Sequence, residues 1–123
     1  MSLKVTGIAD CRAVLGPSQN MRAYQLQPGT SDYVTGGYPI TAAQVDMQYL
    51  FGAWVIACDN AEAIAYAAYF VLAAGAFGTT PKPQTSIKLL VTIPSFSGTG
   101  RNQEILPGTD LSACTWFAEF LGY

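Results

Sequence analysis

Hydrophobic and polar positions along this chain recur mostly with the two-residue period of extended strands. Ile87–Ile93, read Ile-Lys-Leu-Leu-Val-Thr-Ile, is the clearest case, and Pro94 ends it. Leu3–Leu15 alternates more loosely and stops at Gly16–Pro17; Val5, Thr6 and Ile8 favour strand there. Asn20–Gln27 follows as its hairpin partner, closed by Pro28–Gly29, with either Met21, Ala23 and Leu26 or Tyr24 and Leu26 facing inward. Gln48–Cys58 is rich in aromatic and β-branched residues and reads as a strand with a bulge or bend at Gly52. Glu104–Leu106 reads as a short edge strand. Ala113–Leu121 reads as a final apolar strand behind a tight turn at Thr109–Ser112. Phe77–Thr85 and Ser95–Gln103 are loops by composition.

One segment resists assignment by period. In Asn60–Ala76 the alanines favour helix, with Asn60 as cap and Glu62 in the first turn, whereas Tyr66, Tyr69, Phe70 and Val71 prefer strand. The whole pattern predicts an all-β fold. It is a compact β-sandwich or barrel of about six to eight short strands, with at most one short helix, spanning residues 1–123 as a single domain.

Ser31–Met47 is the most strongly punctuated stretch. Asp32 can accept bonds from the amides that follow it, Gly36 and Gly37 can supply positive φ, and Pro39 holds Tyr38 extended. Thr41 can cap one helical turn through Ala42–Asp46. Gly108 and Asp110 play the same turn-shaping part near the C-terminus.

Composition narrows the function. Only 11% of the 123 residues are charged, with a net charge of −2, which leaves a neutral surface suited to a protein that works against partners. The six basic residues are scattered along the chain, so nucleic acid is not expected as a partner. Ala63–Gly78 is apolar but shorter than the roughly 20 residues a membrane helix needs, so no membrane span is expected. No signal peptide is expected at Met1–Thr6. Cys11, Cys58 and Cys114 are far apart and, without any histidine, offer no zinc set; buried reduced thiols are expected, and no metal or cofactor.

Catalytic readings find little support. The absence of histidine removes Ser-His-Asp and Cys-His arrangements within the chain. The eight carboxylates mostly flank turns, where capping is the simpler role. Ser97–Arg101 lacks phosphate-loop spacing. Of the aromatics, Trp54 and Trp116 are expected in the core. Tyr33 and Tyr38 sit on a loop and, with Pro39 and Ile40, are the expected partner interface.

Asp32-Tyr-Val-Thr-Gly-Gly-Tyr-Pro-Ile-Thr-Ala-Ala-Gln44, then Lys88-Leu-Leu-Val91, then Glu104-Ile-Leu-Pro-Gly-Thr-Asp-Leu-Ser112 form an ordered set of segments. That order resembles small structural proteins of tailed double-stranded DNA bacteriophages, the head decoration or cement proteins. The resemblance covers roughly Asp32 to the C-terminus. It implies a non-enzymatic β-rich protein that binds the major capsid protein from outside, bridges neighbouring subunits and stabilises the head. It further implies a homo-oligomer, dimer or trimer, located on the virion and in host cytoplasm during assembly, and it favours strand for Asn60–Ala76. The alternatives are a tail or head–tail connector component and a carbohydrate- or ligand-binding β-sandwich using exposed Tyr and Trp.

Overall fold

The computed structural model describes residues 3–16, 19–59, 63, 66–72, 84–94 and 102–123. Among them are eight strands: β1 (Lys4–Gly16), β2 (Gln19–Gln27), β3 (Tyr38–Thr41), β4 (Leu50–Cys58), β5 (Ala67–Val71), β6 (Ser86–Pro94), β7 (Asn102–Glu104) and β8 (Trp116–Gly122). They form two antiparallel sheets, one ordered β1-β2-β8-β4 and the other β3-β6-β5 with β7 also on β6. The fold is all-β, as the alternation predicts, and its two sheets make a sandwich. No helix among the described residues is long and apolar enough to cross a membrane.

Period two explains the core. Along β8, Trp116, Ala118, Phe120 and Gly122 are buried while Phe117, Glu119 and Leu121 are half-buried, so one face turns inward and the other outward. β6 puts Ile87, Leu89 and Val91 inward in the same way. On β2 the inward pair is Tyr24 and Leu26, opposite Ala118 and Trp116. These residues join Tyr33, Tyr38, Ile40, Val45, Leu50 and Leu111 in one apolar cluster shared by both sheets. Phe70 of one sheet meets Phe120 of the other edge-on at 5.3 Å, an arrangement that suits the ring quadrupoles.

Local chemistry accounts for the corners. Thr41 caps a 3-10 turn at Ala42–Val45: its hydroxyl takes the Gln44 N–H while the Gln44 side chain takes the Thr41 N–H, a reciprocal capping box. The register of β4 against β8 shifts between Leu50 and Gly52, the bulge expected at Gly52, and again between Val55 and Ala57.

Several expectations are corrected. β1 spans 13 residues and is not short. The C-terminal strand begins at Trp116 rather than Ala113, because the chain first turns through Cys114 N–H to Leu111 O, 2.9 Å. β7 runs Asn102–Glu104, so only the first residue of the expected Glu104–Leu106 strand lies in it, and Leu106 is 75% exposed. The ambiguous segment divides: Ala63 is helical, Tyr66 N–H bonds Ala63 O, and Ala67–Val71 is strand, its aromatic and β-branched content prevailing once β6 offers a ladder. Leu72 packs against the core, and the rest of Asn60–Ala76, with the loops at 77–83 and 95–101, lies outside the described residues. Trp54 stands outward from β4, 42% exposed, whereas Trp116 is buried. Cys58 is exposed at the end of β4 and only Cys114 matches the buried expectation; the Cys11 side chain lies outside the described set.

Candidate functional site

Two regions stand out, and the residues singled out by sequence gather in the first. The first is the segment from Ser31 to Tyr38. β6 carries β5 along one side, and on its other side β3 reaches Leu89 while β7 starts only at Thr92. The interval falls at Val91, whose amide has no strand to bond there. Tyr33 fills it: its hydroxyl accepts the Val91 N–H at 3.2 Å and donates to Glu104 Oε1 at 2.9 Å. The Gly36 amide donates to the same carboxylate oxygen at 2.6 Å. A buried N–H left unpaired would cost about 1–3 kcal/mol, so the tyrosine acts as a side-chain substitute for a missing strand residue.

The two sequence motifs meet at this clasp. The Gly108 N–H donates to Tyr33 O at 2.8 Å, and the Asp110 carboxylate accepts amide bonds from Ser112, at 3.0 Å, and from Ser31. Bonds from the Ser112 side chain and amide, with the Ser31 amide adding to them, hold the Asp110 carboxyl below the usual carboxylate range. Gly36, Gly37 and Gly108 all have positive φ (+92°, +102° and +81°), as turn-shaping requires. Asp32 shapes the loop differently from expectation: its Oδ1 takes the Tyr38 hydroxyl at 2.7 Å.

This packing overturns the interface assigned to the loop. Tyr33 and Tyr38 are each 1% exposed, pack edge-to-face at 5.4 Å, and cannot be presented to a partner in this fold; Ile40 is fully buried. Of the four residues, only Pro39 reaches the surface. Sequence misled here because a loop tyrosine at a glycine turn looks exposed, while the vacancy beside β6 that draws it in depends on residues some 58 to 71 positions away.

Burial above all pushes the Tyr33 phenol up to about 12; Glu104 adds to this and the Val91 amide opposes it. Tyr38 is pushed up as well, by burial first and then by the bond and charge of Asp32. Raised phenol values mean the folded state disfavours phenolate. The stability they reflect is complete below the ordinary value near 10 and is lost as pH climbs through 10 to about 12 for Tyr33. In an alkaline spectrophotometric titration, Tyr33 and Tyr38 should therefore ionise only as the sheet circular dichroism disappears. Ionisation of all seven tyrosines near pH 10 with the sheets intact would refute the clasp.

The second region is the outer surface of the sheets. On the four-stranded sheet, Phe117, Glu119 and Leu121 of β8 point outward between Gln25, Ala23 and Met21 of β2 and Ala57, Trp54 and Gly52 of β4. Trp54 and Ile56 are 42% and 47% exposed. On the other sheet Tyr69 and Val71 of β5 are exposed, with Pro39 and Lys88 beside them. Sequence reasoning missed these residues. Trp54 reads as core because both faces of β4 are apolar, and only its pairing with Glu119 shows which way it points.

A hollow of about 340 Å³ beside the clasp is walled by Tyr66, Ile93, Ile105 and Leu106, with Glu104 as its one carboxylate. Glu104 Oε1 is already committed to Tyr33 and Gly36. Among the described residues no group of three metal-ligating side chains converges. Comparison of the chain with protein-family models, with curated proteins and with solved structures finds no match in any of the three.

Proposed function

We propose that this chain is a virion structural protein that binds the outside of a capsid lattice and stabilises the head by bridging neighbouring subunits. The observation that carries the reading is the outward placement of large apolar side chains on both sheets: Trp54 and Ile56 on one, Tyr69 and Val71 on the other. Such residues form the centres of protein interfaces, and the shortage of charge that would trouble a free protein suits a bound one. The resemblance to decoration proteins adds weight, since two of the three segments that carry it are joined by the Gly108–Tyr33 bond, with the Asp110–Ser31 bond just outside the first, into one unit. Many weak copies on a lattice hold by multivalency, without any single tight contact.

The test is addition of purified chain to expanded capsids that lack it. Co-sedimentation at saturable stoichiometry, a rise in capsid melting temperature and cryo-electron microscopy density on the exterior are expected. Density confined to the tail would favour the connector reading, and no association with either would remove both.

A further inference from the structure

Glu119 is the one charged side chain facing outward in the β2–β8–β4 strip among its described residues; Lys4 of β1 lies at the far end of the same face, opposite Gln27. Glu119 lies at the middle of the central strand β8, with Ala23 as its cross-strand partner on β2 and Trp54 on β4. Directly opposed residues of an antiparallel pair hold their Cβ atoms about 4.5–5.5 Å apart, so carboxylate and indole are neighbours. Glu119 is half-buried, and among the described residues it makes no hydrogen bond or ion pair and the exposed Trp54 indole N–H has no acceptor. Met21, Phe117 and Leu121 surround the pair and are half-buried as well.

We infer that this face docks an apolar protein surface carrying one arginine, whose guanidinium binds Glu119 and lies over the Trp54 ring. A carboxylate beside an aromatic face is complementary to a planar cation: the guanidinium fork matches two carboxylate oxygens while its face meets the negative face of the indole. The surround favours protein over sugar. A saccharide needs several hydrogen-bonding side chains about each ring, and here the outward neighbours of Glu119 and Trp54 are Met21, Ala23, Phe117 and Leu121, with Gln25 and Gln27 further along β2. A two-fold contact centred on Glu119 is disfavoured as well, since it would bring two carboxylates together while Lys4 lies at the far end of the face. In the proposed function this partner is the capsid subunit, and to that extent the inference rests on that reading.

Two measurements separate the inference from the reading. In a nitrogen-15 nuclear magnetic resonance titration with N-acetyl-arginine amide, the Trp54 indole signal and the Glu119 and Ala23 amides should shift saturably. The shifts should shrink at least about threefold with the lysine analogue and vanish in Glu119→Gln. Silence with arginine, a response to oligosaccharides instead, or line broadening from self-association of the free chain would overturn the inference whatever the capsid result. In capsid co-sedimentation, Glu119→Gln and Trp54→Ala should each weaken binding by about tenfold or more, as truncating one side of a desolvated charge pair does. Unchanged binding of both variants, or loss only in Tyr69→Ala on the other sheet, would overturn the face assignment while leaving capsid binding standing. An arginine response without any capsid binding would keep the site and remove the capsid.

Discussion

Gly37→Ala is expected to destabilise the chain by about 2–6 kcal/mol, enough to unfold most of it if its total stability lies near the low end of the usual 5–15 kcal/mol. Two effects add. The backbone at Gly37 has φ of +102°, where a side chain costs about 1–3 kcal/mol. A Cβ there would also stand 2.5 Å from the Leu89 carbonyl oxygen and 2.8 Å from its carbon, atoms of the strand at the centre of the second sheet. They cannot swing aside as a side chain would, and displacing such packing costs about 1–3 kcal/mol more. Gly36→Ala isolates the first effect, since at φ of +92° its Cβ would meet only the mobile Lys88 Nζ at 3.7 Å. Gly52→Ala, with nothing within 4 Å, should lie within about 0.5 kcal/mol of the parent. Urea unfolding followed by circular dichroism ranks the three. Equal costs at Gly36 and Gly37 would show that β6 does not press on this turn.

Trp116→Ala is expected to cost about 3–5 kcal/mol, and Trp54→Ala about 1 kcal/mol or less. Trp116 is 2% exposed between the sheets, where truncation removes contacts and leaves a void that the two flanking strands cannot close. Trp54 is 42% exposed and loses mainly surface area. Thermal melts of the two variants decide it, and the native fluorescence of each adds a check. The spectrum of Trp54→Ala, which retains Trp116, should be blue-shifted. That of Trp116→Ala, if it still folds, should resemble indole in water. Comparable losses of stability would place Trp54 in the core after all.

These two tryptophans also mark how far the sequence could be read. Both lie in apolar stretches bounded by turn residues, and strand was the right inference for each. What alternation supplies is the parity of a strand, and β8 shows it cleanly because Phe117, Glu119 and Leu121 interrupt a small-and-large buried series. In β4 the outward positions are as apolar as the inward ones, and two bulges shift the parity midway, so direction was not encoded locally. The turn chemistry was legible for a similar reason. Positive φ at Gly36, Gly37 and Gly108 and the Thr41–Gln44 cap depend on residues within four positions. The fate of Tyr33 and Tyr38 was not legible, because the groups that bury them arrive from β6, β7 and the turn at Gly108. The outer face of the four-stranded sheet was hidden too. Its character depends on Trp54 and Glu119 being neighbours, and they are separated in sequence by more than half the chain.

The tyrosine clasp carries a further consequence, for the order in which the molecule assembles. β1 and β2 pair from Gly16↔Gln19 outward and can zip as soon as both are present. The clasp joins residues 58, 68 and 71 positions apart, and, like the β2–β8 pairing whose partners lie 90 to 102 positions apart, it needs the C-terminal third in place before it can lock. Until then β6 stands with part of one side open at Val91, a length of unpaired edge on the most β-prone segment of the chain. Substitutions at Tyr33, Glu104 or Gly108 are expected to act on a late contact, which the folding and unfolding limbs of stopped-flow denaturant jumps would read. Faster unfolding with a nearly unchanged folding rate is the expected result, and a slowed folding limb would place the clasp in the transition state.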